Sequence, residues 1–404
     1  MPIADQSWHD PAMSSAFQLA NRFARVTTSP VRDILAVVNR GDVISFAGGI
    51  PDASLFELDD FRAAFDHVLT HQGARALQYA TTKGEPELLE QVAARLSRTL
   101  PTHSDQVQVT SGSQEGIFLV GQVLIDPGDV VLVEQPTYLA AVQAFALAGA
   151  RLVPVATDDH GILPDALAAA IVEHHPKFVY LIPTFQNPTG RSMSTERRRA
   201  VADVLLAAGV PLLEDDPYGE LRFEGEAAAP LASLPGMSAQ TVLLNSASKV
   251  MAPGVRVGWL RAEGDILRSL EVAKQAVGLQ SAVTDQLAVA RYLATCDLDA
   301  HIARVVAVYR ERRDAMAAGL ARILPEGASV TRPEGGMFLW ARLGGAVDTA
   351  LRLPTAVEEG VAYVPGWPFF AGVPDRSTMR LSYVTNPVDV IAEGLARLWR
   401  AFDW

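Results

Sequence analysis

Lys249 stands inside Asn245-Ser-Ala-Ser-Lys-Val-Met-Ala-Pro-Gly-Val-Arg-Val-Gly-Trp259, three residues after Ser246 and seven before Arg256. Val242, Leu243 and Leu244 precede the segment, and Val257, Trp259 and Leu260 close it. It reads as a buried strand, a tight Pro-Gly loop carrying an amine, and a second buried strand. An ammonium held there must pair, lower its pKa or enter a covalent bond. A Schiff base with an aldehyde cofactor is the covalent solution, and Ser246 with Arg256 suits a phosphate. From this segment alone, a lysine solvated at a loop rim explains the residues equally well.

Other chemistry-bearing residues fall where strands give way to loops. Thr110-Ser-Gly-Ser-Gln-Glu-Gly116 opens a helix, and its small residues and free N–H groups suit an anion, although an ordinary N-cap at Ser113 accounts for it too. Tyr138 follows Glu134-Gln-Pro-Thr137 and can stack on a planar ring or simply pack in the core. Pro183-Thr-Phe-Gln-Asn-Pro-Thr-Gly190 forces an irregular loop that projects Asn187, whose amide can donate to a phenolate, or forms an Asn-Pro turn with no ligand. In Glu214-Asp-Asp-Pro-Tyr-Gly219 the aspartates read as surface solvation, a metal pair or a partner for a buried cation. No His or Glu ligand pattern supports the metal, and an ionised Asp215 would keep a pyridine nitrogen protonated. Arg380, in the apolar Thr378-Met-Arg-Leu-Ser382, needs a carboxylate, either within the chain or on a substrate.

The elements that must position these residues alternate. Strands are expected at Gln106–Thr110, Val130–Glu134, Arg151–Val155, Phe178–Ile182, Val210–Glu214 and Thr241–Asn245. Helices are expected from Ser113 to about Leu124, Thr137 to Leu147, Pro164 to His174 and Ser194 to Ala208. That order predicts an α/β fold, a mostly parallel sheet covered on both faces, with a crevice at the strand carboxyl ends. Beyond Leu260 three helical stretches run from about Asp265 to Arg322. Short strands Met337–Leu343, Val361–Val364 and Met379–Tyr383 and a helix Val388–Phe402 follow, a smaller α+β unit. We expect an arm at residues 1–45 packing on that unit, a large domain at 46–297 and a small one at 298–404.

Composition narrows the function. The chain has 404 residues, 49% apolar and 20% charged, as an ordered globular protein does. A net charge of −12 argues against nucleic acid or an anionic membrane as the main partner. The single cysteine, Cys296, excludes an internal disulfide and a thiolate-rich metal site. No signal peptide or membrane-length apolar run is visible, so a cytoplasmic protein is expected. Neither a Gly-Lys-Ser/Thr phosphate loop nor a dinucleotide glycine motif is present.

These motifs, in this order, resemble fold type I pyridoxal-phosphate enzymes of the aspartate aminotransferase type over about Ser15 to Phe402. The branch containing 2-aminoadipate and kynurenine aminotransferases is the most similar, on Ile44-Ser-Phe-Ala-Gly-Gly-Ile-Pro51, Leu77-Gln-Tyr79, Thr110-Ser-Gly-Ser-Gln114, Phe185-Gln-Asn-Pro-Thr-Gly190 and Pro333-Glu-Gly-Gly-Met-Phe-Leu-Trp340. The resemblance implies a seven-stranded sheet in the large domain and pyridoxal 5'-phosphate on Lys249. It implies Asp215 at the pyridine nitrogen, Tyr218 and Asn187 at the phenolic oxygen, and Tyr138 stacked on the ring. Gly112, Ser113, Ser246 and Arg256 would form the phosphate cup, with Ser111, Gln114 and Ser248 as further cofactor contacts. Arg380 would grip the substrate carboxylate, with Gly49 and Arg32 as further substrate contacts. Tyr79 would complete the neighbouring site of a homodimer. No metal is expected. Amino acid and 2-oxo acid substrates follow, 2-oxoglutarate among them, in a ping-pong cycle. A lyase, decarboxylase or oxidase on the same scaffold is the rival enzyme reading. A regulator's effector domain is the other class, disfavoured because only about forty residues precede Ser45. Departures from the family, at Ala247, Glu85, Trp367 and Pro354, bear on the substrate side chain rather than on the cofactor. Pro354 is expected to break a helix.

Overall fold

Seven strands form the central sheet of the computed structural model, which describes residues 20–25 and 43–404. Their order is Val107–Thr110, Gly258–Arg261, Thr241–Ser246, Leu212–Asp215, Phe178–Leu181, Val130–Glu134, Arg151–Val155. All pairings are parallel except those of Gly258–Arg261, which runs against both neighbours. Parallel strands joined by helical crossovers are buried on both faces, so they read as continuous apolar runs. The alternation survives as two cores. Val131, Val133, Tyr180 and Leu213 face Ile117, Phe145, Leu267 and Leu270 of helices Ser113–Leu124, Leu139–Ala148 and Gly264–Gly278. Leu132, Val179, Leu181 and Leu212 face Leu167, Ile171, Val201 and Leu205 of helices Pro164–His174 and Thr195–Ala208.

The expected strands appear with shifted ends. Leu212–Asp215 begins after Pro211, which has no N–H for a ladder. The helix expected from Thr137 starts at Leu139, because the Thr137 N–H goes to Phe369 O at 2.8 Å and leaves Tyr138 as an extended N-cap. Helices Leu58–Ala76 and Pro86–Leu96 and a short hairpin, Thr157–Asp158 with Gly161–Ile162, add to the expected set.

A second, four-stranded antiparallel sheet runs Ser329–Val330, Phe338–Arg342, Thr378–Ser382, Val364–Pro365. The strand expected at Val361–Val364 divides between two sheets. Val361–Ala362 pairs in parallel with Ile44–Ser45, while Val364–Pro365 pairs with Thr378–Ser382. Tyr363 lies between them, its hydroxyl donated to Thr349 O at 2.6 Å. Pro354 does not break its helix, contrary to expectation: Thr349–Glu358 runs through it. Asp348 accepts the Ala350 N–H at 2.9 Å, and burial of Leu353 and Ala356 offsets the one backbone bond that proline removes. Among the described residues, no helix is long and apolar enough to cross a membrane.

Candidate active site

The expected site residues converge at one edge of the large sheet. Ser111–Ser113 follows strand Val107–Thr110, Tyr138 follows Val130–Glu134, and Asn187 follows Phe178–Leu181. Asp215 ends its strand, and Ser246, Ser248 and Lys249 lie at and beyond the end of Thr241–Ser246. Arg256 precedes the antiparallel strand Gly258–Arg261, which brings it to the same edge. Parallel topology, with the one antiparallel strand that carries Arg256, accounts for this gathering of residues distant in sequence.

Lys249 is partly buried, and its Nζ donates to Gly49 O at 3.0 Å. Burial, then Arg380 and Arg256, lower its pKa to about 8, opposed by Asp215. Asp215 is 2% exposed. Its Oδ2 accepts the Tyr180 hydroxyl at 2.8 Å, whereas its Oδ1 is buried with no partner. Burial raises its pKa to about 7, against the lowering effect of the Tyr180 bond. Asp216 faces elsewhere, toward Arg198, Glu220 and the Gly219 N–H, and its pKa is raised to about 6, mainly by burial.

Arg380 is buried without a carboxylate partner among the described residues. Its Nη1 donates to Asn187 Oδ1 and its Nη2 to Ala47 O, both at 2.9 Å. Its Nε is buried and unpartnered. The guanidinium lies 4.2 Å from the Phe338 ring centroid and 5.1 Å from that of Phe369. Burial lowers its pKa to about 10, so it stays cationic near neutrality. Asn187 spans the site, its Nδ2 reaching the Tyr218 hydroxyl at 3.4 Å. Burial pushes the Tyr218 phenol well above its usual range.

The Ser111–Ser113 turn is a cradle only glycine can complete. Gly112 has φ +84°, and a Cβ there would stand 2.7 Å from Arg256 Nη2. Arg256 Nη2 donates to Ser111 O at 2.8 Å. Ser113 begins the helix, whose first N–H groups are open to an anion. Gln114 Nε2 donates to Ala140 O at 3.2 Å and its Oε1 is buried unpartnered, while Ser246 Oγ accepts the Ser248 N–H at 3.1 Å. Small hydroxyl residues, an exposed arginine and a helix N-terminus fit a phosphate. The orphaned Asp215 Oδ1 and half-buried Tyr138 fit a protonated pyridine ring. The donor set therefore fits pyridoxal phosphate.

Two expected residues stand apart. Tyr79 is 78% exposed, beside Leu77 at 78%, and is not gathered into this pocket. Arg32 lies outside the described residues. Sequence reasoning missed Tyr180, which reads as one more apolar residue of a buried strand. It named Gly49 as a substrate contact without foreseeing that its carbonyl meets Lys249, and it missed the Ala47 carbonyl and the Phe338 and Phe369 rings around Arg380. The one signal that could have flagged Tyr180 is a hydroxyl inside a wholly buried apolar run, where it demands a partner.

The family model for aminotransferase class I and II matches residues 42–398. The aromatic-amino-acid aminotransferase 1 of Thermococcus litoralis is 41% identical over 92% of this chain and 90% of its own length. The 2-aminoadipate transaminase of Thermus thermophilus is 38% identical over 93% and 94%. The solved alpha-aminoadipate aminotransferase of Thermus thermophilus, complexed with N-(5'-phosphopyridoxyl)-L-leucine, superposes with a TM-score of 0.90, at 36% identity over 95% of this chain and 97% of that one. A match this long, on a sheet whose edge carries the family's motifs in order, leaves one assignment: the chain belongs to the class I and II aminotransferases, pyridoxal-phosphate enzymes of fold type I.

Proposed function

We propose that this aminotransferase moves the amino group between an L-amino acid and a 2-oxo acid in two alternating half-reactions, with 2-oxoglutarate as one co-substrate. One observation carries the reading: Lys249, Asp215, the Asn187–Tyr218 pair and Arg380 meet in one pocket, with Asp215 Oδ1 and Arg380 Nε buried and free. Pyridoxal phosphate, when bound, supplies an electron sink for charge released at the substrate Cα.

In this reading Ser111, Gly112, Ser113, Gln114, Ser246, Ser248 and Arg256 hold the phosphate. Tyr138 covers the ring, and Asn187 and Tyr218 donate to its phenolic oxygen. Asp215 Oδ1 accepts the ring N–H, which requires the carboxylate to be ionised. Lys249 Nζ would take the proton from the substrate Cα and deliver it to the cofactor carbon the lysine had held, and run the same transfer backwards in the second half-reaction, an acid–base role that a pKa near 8 suits. Tyr79, exposed on its own chain, completes the site of a second copy in a homodimer. Gly49 closes over the substrate, and Arg32 meets the second carboxylate of acidic partners. The other amino acid is apolar, aromatic or otherwise bulky, its side chain bounded by Trp367 and Tyr138.

Arg380 would bind the α-carboxylate through a planar two-point contact. Arg380→Lys is expected to lower kcat/KM by about 100-fold, because an ammonium cannot reproduce the fork or its stacking on Phe338. Steady-state kinetics check this, and a KM within about threefold of the parent with unchanged kcat would rule the contact out.

The reading as a whole is tested by half-reaction spectra of the holoenzyme. Glutamate and one aromatic or long apolar amino acid should each bleach the cofactor's visible band, and 2-oxoglutarate should restore it. Ammonia, carbon dioxide or peroxide released by an amino acid that causes no bleaching would point instead to a lyase, a decarboxylase or an oxidase.

A further inference from the structure

The Ser111–Ser113 turn rests on a buried ion pair. Glu115, in the first turn of helix Ser113–Leu124, accepts the Ser111 N–H through Oε2. Lys274, from helix Gly264–Gly278, donates to both Glu115 oxygens at 3.0 and 2.8 Å and to Ser281 Oγ at 3.0 Å. The Lys274 side chain is 1% exposed and that of Glu115 13%. Ser281 Oγ in turn lies 3.2 Å from Ser111 Oγ.

A carboxylate in the first turn suits a helix dipole, but it opposes a dianion bound at the same N-terminus. The buried ammonium resolves that conflict. We propose that Glu115 and Lys274 are a positioning pair for the cofactor phosphate: Glu115 fixes the turn through the Ser111 N–H, and Lys274 cancels the charge that would repel the phosphate. This rests on the reading of Ser111–Ser113 as the phosphate turn. Neither residue touches the reacting atoms. Their effect is exerted through the backbone and the local potential.

Affinities for pyridoxal phosphate and for pyridoxal, measured by equilibrium dialysis of the full-length protein, test the pair. Lys274→Met is expected to weaken pyridoxal phosphate about tenfold or more while pyridoxal changes by less than about threefold, because only the phosphate meets the uncompensated carboxylate. Glu115→Gln keeps an acceptor for the Ser111 N–H and removes the negative charge, so pyridoxal phosphate should bind as tightly as before or tighter. The double variant Glu115→Gln/Lys274→Met should return to within about threefold of the parent. A merely structural pair would weaken binding in every variant. If Lys274→Met fails to fold, the sign of the Glu115→Gln effect decides alone. Weaker phosphate binding in Glu115→Gln, or equal losses for pyridoxal phosphate and pyridoxal, overturns the inference. A parent protein that does not bind pyridoxal phosphate overturns the functional reading itself. A parent that binds it, with variants that behave alike, overturns only the pair.

Discussion

Lys249→Ala is expected to cut amino transfer by about 10⁴-fold or more while the folded protein still takes up pyridoxal phosphate. The phosphate turn, Asp215 and the Asn187–Tyr218 pair do not depend on the lysine, so the loss falls on the chemistry rather than on loading. A base must be neutral to accept a proton. Burial, Arg380 and Arg256 lower the Lys249 pKa to about 8, so the neutral amine gains population as pH rises through that value and is already accessible near neutrality. Lys249→Arg keeps a cation but has no accessible neutral form, and it should fail as badly as the alanine variant. Single-turnover absorbance with glutamate measures the loss. Borohydride followed by peptide mapping should find the cofactor on Lys249 in the parent and nowhere in the variants. Full activity in Lys249→Ala would remove the lysine from the mechanism.

Much of this site was legible because its key residues break the pattern around them. Lys249 interrupts two apolar strands, Asn187 sits between two prolines, and Arg380 stands in the apolar strand Thr378–Ser382. A charge or amide in such a place needs a reason, and the parallel sheet order then brings the reasons to one edge. The remainder was hidden for physical causes. The Ala47 and Gly49 carbonyls that meet Arg380 and Lys249 belong to the backbone, which carries no residue signature. Lys274 belongs to no sequence motif, and it is sealed against Glu115 by a fold that brings positions far apart in sequence into contact. Pro354 read as a break because local propensity was weighed without the burial of Leu353 and Ala356. The strand at Val361–Val364 read as one because the pattern cannot show that its two halves hydrogen-bond to different sheets.

Asp215→Ala should cost about 10³-fold or more in kcat, the scale of removing a main electrostatic contact from a dry site. Asp216→Ala should cost less than about tenfold and act mainly on stability, because Asp216 serves the Gly219 N–H and the Arg198 field rather than the pocket. Each aspartate has one buried oxygen without a partner, and the two are told apart by what surrounds it: Tyr180 and Lys249 for Asp215, Arg198, Glu220 and the Gly219 N–H for Asp216. Asp215 Oδ1 is buried and unpaired beside Lys249, and an ionised carboxylate left in that state is costly unless a ring N–H meets it. Tyr180 prepares it, since its 2.8 Å bond to Oδ2 favours the charged form against the burial that raises the pKa to about 7. Tyr180→Phe removes that support and moves the Asp215 pKa higher. The loaded enzyme should then lose about tenfold in kcat near neutral pH, because Oδ2 loses the donor that orients and stabilises the carboxylate. Pre-steady-state rates across pH 6–9 for the three variants give the order Asp215→Ala, Tyr180→Phe, Asp216→Ala from worst to mildest. If Asp216→Ala were the worst, the carboxylate facing the ring would be the other one, and the register at the end of strand Leu212–Asp215 would have to shift by one residue, turning its alternate side chains to the opposite face of the sheet.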